Sequence, residues 1–304
     1  MPLDFGPVNG HIIGKVMRDT TRRVVEQIRA KLYVEVLFEV KDIKDEVKDT
    51  KDDKRTDFVT EVDRAAQDTY LRQLGECFPD FGIVAEEFGY RTPCYVKDHE
   101  IFFTIDGIDG TRAFLDQRSK GIGTAIALVY DGEVIASYTA NVLTNELYYY
   151  RPESDNTHRL GDFGQRRLLQ IDARKRLFNQ DVLLRNGPTH YSPLVQRMAR
   201  GGREGGLFED VQIEGGSIAV FMMRLWNGDV GGVVLHVGSQ KPWDIVPVIG
   251  LSWRLGFVFM RIESEGNALT EFEPTVSMET VLWNHETLIV HKSRLEEIST
   301  WLVG

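Results

Sequence analysis

Two acidic clusters each follow a short apolar run in this chain. Glu86-Glu87 comes after the apolar residues 81–85, and a second cluster, Asp106 to Thr111, comes after the apolar residues 101–105. Both runs are typical of buried strands, so the carboxylates collect in one small space where the strands end. Crowded carboxylates repel each other, and proteins tolerate them mainly where cations lie between the oxygens. The pattern therefore predicts a site for hard divalent metal ions.

The composition fits a protein that folds in water. Of the 304 residues, 42% are hydrophobic and 27% are charged, and no apolar run approaches the ~20 residues that span a bilayer. The first ten residues lack the pattern of a secretory signal. The two cysteines, Cys77 and Cys94, lack metal-ligand spacing and fit a reducing compartment. We therefore expect a cytoplasmic protein with no membrane partner.

The charge balance bears on the class of ligand. The formal net charge of −10 disfavours nucleic acid as a partner, because the chain has no excess of cations to displace phosphate counterions. A small phosphorylated substrate remains compatible with this charge, since metal ions between carboxylates and phosphate reverse the local sign.

Helix-like and strand-like patterns alternate along the chain without an internal repeat. Apolar residues spaced by three and four predict a long helix from His11 to about Phe38 and a second helix from about Asp63 to Gly75. The pair Asp131-Gly132, between two strand patterns, predicts a tight hairpin. We expect a single globular unit, residues 1–304, in which a polar surface connection joins an N-terminal half (about 1–150) to a C-terminal half (about 176–304).

A highly charged segment separates the first two predicted helices. Twelve of the fifteen residues 41–55 carry a charge, and both signs are mixed. Such a segment is typical of a solvated loop, which we favour over the alternative that it forms a lid.

The second acidic cluster offers both metal ligands and a phosphate site. Asp106 and Asp109 are three residues apart, and a tight turn between them would point both carboxylates at one locus and expose the carbonyl of Ile108. Asp-Gly pairs are also common in plain turns, so the spacing alone leaves both interpretations open. Gly110-Thr111 then leads into a predicted short helix, whose free N–H groups would attract phosphate.

Two further acidic positions each have a structural alternative. Asp63 follows Thr60 at the start of the second predicted helix, where either residue could simply cap the helix. Asp244 follows Pro242-Trp243 before an apolar helix and could likewise be an N-cap.

Taken together, these motifs resemble the inositol monophosphatase family. The chain contains Asp-x-Val-Thr-x-x-Asp at 57–63, Glu-Glu at 86–87, Asp-x-Ile-Asp-Gly-Thr at 106–111 and Trp-Asp at 243–244. They occur in the family's order and extend over most of the chain. The resemblance implies a layered α/β (α+β) fold, the αβαβα sandwich shared with fructose-1,6-bisphosphatase. It also implies a homodimer, Mg²⁺ as the cofactor (two or three ions) and inhibition by Li⁺.

The resemblance assigns metal ligands by position. The family's metal-binding carboxylates match Glu86, Asp106, Asp109 and Asp244, and the backbone carbonyl of Ile108 matches a further ligand.

The resemblance also assigns catalytic and substrate-binding residues. Asp63 and Thr111 match the catalytic pair that orients and deprotonates the attacking water. Gly110 and Thr111 match the backbone that contacts phosphate, and Gly216-Ser217 matches the pair that opens a helix beside the substrate.

The chain departs from the family pattern at positions that affect the site and the substrate. Gly107 stands where the family usually has Pro, which we expect to free the turn backbone. The acidic residue that inositol-specific members place before Trp-Asp has no counterpart in residues 235–240. His236, Gln240 and Arg185 are candidate pocket residues, although single side chains of these types are more often structural.

The sequence predicts a Mg²⁺-dependent phosphomonoesterase that acts on a small phosphorylated metabolite through a metal-activated water. Inositol monophosphate or a related sugar phosphate is the first substrate candidate, and 3'-phosphoadenosine 5'-phosphate and fructose 1,6-bisphosphate are alternatives. A second alternative is a non-catalytic regulatory or interaction protein on the same fold.

Overall fold

The computed structural model of the protein describes residues 3–6, 8–34, 36–40, 58–118, 120–263 and 268–303. The charged segment 41–55, which we predicted to be a loop or lid, and Asp57 of the first family motif lie outside the described residues.

The described part of the chain forms seven α-helices. They are α1 (Gly10–Lys31), α2 (Glu61–Cys77), α3 (Thr111–Leu115), α4 (Pro193–Met198), α5 (Ile218–Trp226), α6 (Pro242–Arg254) and α7 (Leu295–Val303). The side chain of Asn9 caps α1, and Thr60 and Asp63 form a capping box at the start of α2. None of these described helices has the length and apolar character needed to cross a membrane.

The described residues also form eighteen β-strands. They are β1 (Phe38–Val40), β2 (Phe58–Thr60), β3 (Gly82–Ala85), β4 (Arg91–Thr92), β5 (Ile101–Asp109), β6 (Gly123–Tyr130), β7 (Glu133–Asn141), β8 (Glu146–Tyr150), β9 (His158–Leu160), β10 (Arg166–Leu168), β11 (Val182–Leu184), β12 (Val211–Ile213), β13 (Gly232–Leu235), β14 (Gly238–Gln240), β15 (Phe257–Ile262), β16 (Leu269–Phe272), β17 (Val281–Trp283) and β18 (Glu286–His291). One sheet has the order β10-β9-β8-β7-β6-β5-β3-β4 and another the order β12-β11-β13-β18-β15-β16, while β1-β2 and β14-β17 form two-stranded sheets.

Helices and sheets alternate in five layers. Helices α1 and α2 cover one face of the eight-stranded sheet, α5 and α6 lie between the two large sheets, and α4 and α7 cover the outer face of the six-stranded sheet. Along β5, Phe103 packs towards α1 and α2, whereas Phe102 packs towards α5 and α6. Burial on both faces explains why the strands are continuous apolar runs. The predicted layered αβαβα fold is confirmed.

The predicted hairpin forms between β6 and β7. Tyr130 pairs with Glu133, and the two residues between them, Asp131 and Gly132, have φ values of 47° and 82°. Positive φ at both turn residues is the signature of the tight turn that matches the twist of paired strands.

The structure departs from the sequence predictions in two connections. Helix α1 ends at Lys31 instead of continuing to Phe38, because Leu32 is extended and Phe38 pairs with Thr60 in the β1-β2 ladder. The polar stretch predicted as a surface connection contains β9 and β10, which extend the eight-stranded sheet. Its polar composition fits this position, because β10 is an exposed edge strand.

Candidate metal centre

The parallel pairing of β3 and β5 brings the two acidic clusters to one edge of the eight-stranded sheet. Ala85, the last residue of β3, pairs with Ile105 of β5. Glu86 and Asp106 therefore follow directly at the same level of neighbouring strands. The first turn of α6, which lies between the sheets, adds Asp244.

A bulge in β5 places its two aspartates together. Asp106 pairs with Ala125 and Asp109 pairs with Gly123, so β5 has one residue more than β6 between these pairs. In a regular strand, residues three apart point to opposite faces. The extra residue cancels this alternation, so Asp106 and Asp109 can lie on the same side of β5. The tight turn that we expected between them is therefore a bulged strand.

Three of the predicted metal ligands converge. Carboxylate oxygens of Asp106, Asp109 and Asp244 all lie within 4.8 Å of one another. Asp106 is 1% exposed and Asp109 is 7% exposed, while Asp244 is half-buried. Glu86 lies close enough for its charge to act on both Asp106 and Asp244.

The electrostatics of this cluster favour either protons or cations. Burial raises the pKa of Asp106 well above its usual range, and the charges of Glu86, Asp109 and Asp244 raise it further. Burial, Asp109 and Glu86 raise the pKa of Asp244 in the same way. The buried carboxylates therefore cannot all stay ionised unless positive charge joins them.

The donor set fits Mg²⁺. Oδ1 of Asp106 is buried, and no described residue forms a hydrogen bond with it. An unpartnered buried carboxylate oxygen is rare in folded proteins, and a bound ion is one way in which such an atom is satisfied. Hard divalent cations prefer the carboxylate and carbonyl oxygens that this cluster presents.

Asp63 and Thr111 are in direct contact beside the cluster. The Thr111 hydroxyl lies 2.8 Å from Oδ1 of Asp63 and 3.2 Å from the carbonyl oxygen of Ile108. The other Asp63 oxygen accepts hydrogen bonds from the backbone N–H of Thr60, at 2.8 Å, and from the Thr60 hydroxyl. Asp63 is thus held by donors on both oxygens, in a pocket where it is 1% exposed.

Ser217, which follows Gly216, lies directly against Asp109 of the acidic cluster. The Ser217 hydroxyl donates to Oδ2 of Asp109 at 2.5 Å, and the N–H groups of Ile218 and Ala219 donate to the same carboxylate at 3.1 Å and 2.7 Å. Burial raises the pKa of Asp109, although these hydrogen bonds oppose the increase. Asp109 therefore also anchors the start of α5.

The approach of α5 depends on glycines. Gly110 has a φ of 96°, and a Cβ there would lie 2.3 Å from the carbonyl oxygen of Gly121. Gly216 has a φ of 99° and would meet the same oxygen at 2.7 Å. Both positions need the conformational freedom and small size of glycine.

The short helix predicted after Gly110 is α3, which begins at Thr111 and has only five residues.

Gly107 has a different role from the one expected. It lies within β5, and a Cβ there would come within 2.9 Å of the Asp63 carbonyl oxygen and 3.1 Å of the Gln67 nitrogen. Its small size therefore permits close packing of α2 on β5, so the expectation that it frees a turn is wrong.

Sequence reasoning missed one residue that supports the site. The side-chain amide of buried Gln67 donates to the Glu87 carbonyl at 3.1 Å and accepts from the Glu87 N–H at 2.7 Å. These two bonds fix the backbone next to Glu86. The only sequence signal for this role of Gln67 is its position one helical turn after Asp63.

A statistical model of the inositol monophosphatase family matches residues 18–296 of the chain. The match includes every predicted site residue from Asp63 to Asp244 and covers most of the chain.

Curated relatives match over a shorter segment. The Nus factor SuhB of Xylella fastidiosa is 33% identical over 94 residues, which are 31% of this chain and 32% of the relative. The inositol-1-monophosphatase of Mesorhizobium japonicum is 32% identical over 95 residues, which are 30% of this chain and 33% of the relative. The chain covers about a third of the length of these relatives.

Solved structures resemble nearly the whole chain. The extragenic suppressor protein suhB from Bartonella henselae has a TM-score of 0.68 at 17% identity, covering 96% of this chain and 98% of that chain. An IMPase/NADP phosphatase complexed with Mg²⁺ and phosphate has a TM-score of 0.64 at 17% identity, covering 96% and 95%. A staphylococcal inositol monophosphatase-1 in a LiCl-soaked inhibitory complex has a TM-score of 0.66 at 16% identity, covering 98% and 95%. At these identities the likeness establishes a shared fold.

Proposed function

Because the chain belongs to the inositol monophosphatase family, we propose that it is a Mg²⁺-dependent phosphatase that hydrolyses monoesters of a small phosphorylated metabolite. The observation that carries this proposal is the convergence of Asp106, Asp109 and Asp244 around a buried, unpartnered oxygen of Asp106. Purely structural packing gives no reason to collect these carboxylates, because their burial and mutual repulsion are costly.

The residues that would hold the ions are Glu86, Asp106, Asp109, Asp244 and the carbonyl of Ile108. When bound, Mg²⁺ neutralises phosphate charge, orients the ester and lowers the pKa of a nucleophilic water. Asp109 has a second task, because it also receives three hydrogen bonds from the start of α5.

The protein's own proton acceptor is the pair of Thr111 and Asp63. With its proton directed at Asp63, the Thr111 hydroxyl keeps lone pairs that can accept a proton from a neighbouring water. In the same step Asp63 takes the original Thr111 proton, so the hydroxyl stays neutral, while the second oxygen of Asp63 stays fixed by Thr60. Asp63 thus acts as the general base, and Thr111 transmits the proton.

We favour inositol monophosphate or a related sugar phosphate as the substrate, with 3'-phosphoadenosine 5'-phosphate and fructose 1,6-bisphosphate as alternatives. The curated inositol-1-monophosphatase relative supports the first. From the family resemblance we also propose inhibition by Li⁺, a homodimer and a cytoplasmic location. Sedimentation of the purified protein as a monomer at micromolar concentration would contradict the dimer.

The test is phosphate release from these three substrates with excess Mg²⁺ and with EDTA. We expect release only with Mg²⁺, and a loss of at least about 100-fold in the Asp106→Asn variant, because one ligand charge disappears without a change of size. Asp109→Asn is a poorer test, since it also disturbs the start of α5.

The matched control is Asp68→Asn, which removes the same charge from the exposed face of α2. It should release phosphate at the wild-type rate. Equal activity of the Asp106→Asn and Asp68→Asn variants, or full turnover in EDTA, would overturn the assignment of the metal centre.

A second candidate is a regulatory or interaction protein on the same fold. Its support is that a curated relative has the name Nus factor SuhB. This function predicts no Mg²⁺-dependent turnover of the three substrates, together with a stoichiometric complex with a protein partner. Turnover that Li⁺ suppresses would favour the phosphatase.

A further inference from the structure

Arg185 lies beside the candidate metal centre in a fixed backbone position. It directly follows β11, and its N–H donates to the hydroxyl of Tyr191 at 3.0 Å. The Tyr191 ring is buried and stacks on His236 with 3.9 Å between ring centroids, and Asn186 contacts His236 at 3.2 Å. These contacts hold the segment that presents the Arg185 side chain.

The guanidinium group of Arg185 reaches the start of α5. It donates to the carbonyl of Gly216 at 3.3 Å, and the next residue, Ser217, donates to Asp109. Burial raises the pKa of both Asp109 and Asp244, and the charge of Arg185 acts in the opposite direction on each. The cation therefore lies within electrostatic range of the carboxylates that would hold Mg²⁺.

Most of the binding capacity of Arg185 is unused. Within the described residues, its guanidinium group makes this one hydrogen bond and no ion pair, although a guanidinium group has five N–H donors. The side chain is exposed. Lys120 differs in this respect, because its ammonium group lies 3.6 Å from buried Glu214.

The neighbouring stretch does not compete for the cation. Residues 235–241 read Leu-His-Val-Gly-Ser-Gln-Lys and contain no acid. A guanidinium group with free donors matches planar oxyanions, which it binds with two parallel hydrogen bonds. The features point to an anion that the described residues do not supply.

We propose that Arg185 is a specificity-determining residue that binds a second anionic group of the substrate, while the metal centre holds the phosphate that is cleaved. This proposal rests on the proposed function and narrows its substrate class. The preferred substrates are small phosphate monoesters that carry a further phosphate or carboxylate.

The experiment compares substrates that differ only in the second anion. Adenosine 3',5'-bisphosphate, which is the 3'-phosphoadenosine 5'-phosphate named above, is paired with adenosine 3'-monophosphate. In the second pair, 2-phosphoglycerate is compared with glycerol 2-phosphate. Phosphate release is measured in Mg²⁺ for the wild type, Arg185→Met and Arg185→Lys. The control is Arg174→Met, which removes the same charge from a 91% exposed side chain that pairs with Asp172.

We expect Arg185→Met to lower kcat/KM for at least one doubly anionic substrate about tenfold or more, mainly through KM. Its singly charged partner should change less than about twofold, Arg185→Lys should lie between, and Arg174→Met should match the wild type. The pair that responds identifies phosphate or carboxylate. An equal loss for both members of each pair would overturn the proposal, because Arg185 would then only support the metal centre. No loss for any substrate would also overturn it.

Failure of the proposed function gives a different result. If the wild type releases phosphate from none of the four esters, calorimetry with adenosine 3',5'-bisphosphate and adenosine 3'-monophosphate in Mg²⁺ still decides the role of Arg185. The role of Arg185 is supported if the wild type binds the bisphosphate more tightly than the monophosphate and Arg185→Met does not. It is contradicted if the wild type and Arg185→Met bind the bisphosphate equally well.

Discussion

Asp63 combines two roles that its sequence context presents as alternatives. One carboxylate oxygen completes the capping box of α2 by accepting from Thr60, and the other accepts from the Thr111 hydroxyl. The cap fixes the carboxylate in the orientation that the proton acceptor needs. Helix capping is therefore part of the candidate catalytic arrangement and does not exclude it.

The contact between Thr111 and Asp63 leads to a prediction at a single hydroxyl. Thr111→Ala should lower kcat for phosphate release by about 100-fold to 10,000-fold, because general-base assistance is lost. Thr111→Ser should recover most of the rate, since it keeps the hydroxyl. The measurement is kcat and KM with excess Mg²⁺ for both variants.

A simple structural role would give another result. If Thr111 acts only through the packing of its methyl group, the serine variant should lose as much activity as alanine, because both lack that group. Unchanged kcat in Thr111→Ala would remove the residue from the proton path.

At the scale of elements, one face of α2 organises two parts of the site. Asp63 contacts Thr111 after β5, and Gln67, one turn later, binds both backbone groups of Glu87 after β3. The backbone atoms of Asp63 and Gln67 both lie close to Gly107 of β5. The distance between α2 and β5 therefore affects the proton acceptor and the Glu86 segment together.

Gly107→Ala should disturb this packing. Its Cβ would lie 2.9 Å from the backbone oxygen of Asp63, so α2 has to move outwards, which we expect to cost about 1–3 kcal/mol of unfolding free energy. Phosphate release should fall as well, because the Asp63–Thr111 hydrogen bond lengthens. Chemical denaturation and kcat measure the two effects.

Gly75→Ala is the matched control on the same helix. A Cβ at Gly75 meets nothing within 4 Å, so alanine should stabilise α2 by roughly 0.5–1 kcal/mol and leave kcat unchanged. Equal stability and activity in both alanine variants would show that close approach at Gly107 is unimportant.

These elements also show what the sequence can predict. The apolar runs, the turn at Asp131-Gly132 and the acids at strand ends are local patterns, and the structure has the corresponding strands, hairpin and carboxylate cluster. The roles of Gly107 and Gln67 depend on how closely α2 approaches two strands. The bulge in β5 depends on pairing with β6. Such contacts between distant segments leave no local signature in one sequence.

At the scale of the whole molecule, the candidate metal centre joins the eight-stranded sheet to the helical layer between the two large sheets. Asp106 and Asp109 belong to the eight-stranded sheet, while Asp244 lies in the first turn of α6, which packs between the sheets. Cations bound there would be bound by the folded chain and not by the unfolded one, so they should stabilise the whole fold.

The pH dependence of this stabilisation is predictable in sign. Folding raises the pKa of Asp106, Asp109 and Asp244 above their ordinary values, so the metal-free folded protein binds protons that the unfolded chain releases. Its stability should therefore fall as the pH rises through the raised pKa values. Mg²⁺ replaces these protons, so the difference in Tm between Mg²⁺ and EDTA should grow as the pH rises above the ordinary pKa of aspartate.

Thermal unfolding across this pH range, with excess Mg²⁺ and with EDTA, measures the effect in the intact chain. In EDTA, the stability of the Asp106→Asn variant should fall less steeply with pH, because one carboxyl group with a raised pKa is gone. Its gain in Tm from Mg²⁺ should also be smaller. The exposed Asp68→Asn control should follow the wild type in both buffers. A Tm gain from Mg²⁺ that is the same at every pH, or the same in Asp106→Asn as in the wild type, would mean that the ion binds elsewhere on the protein.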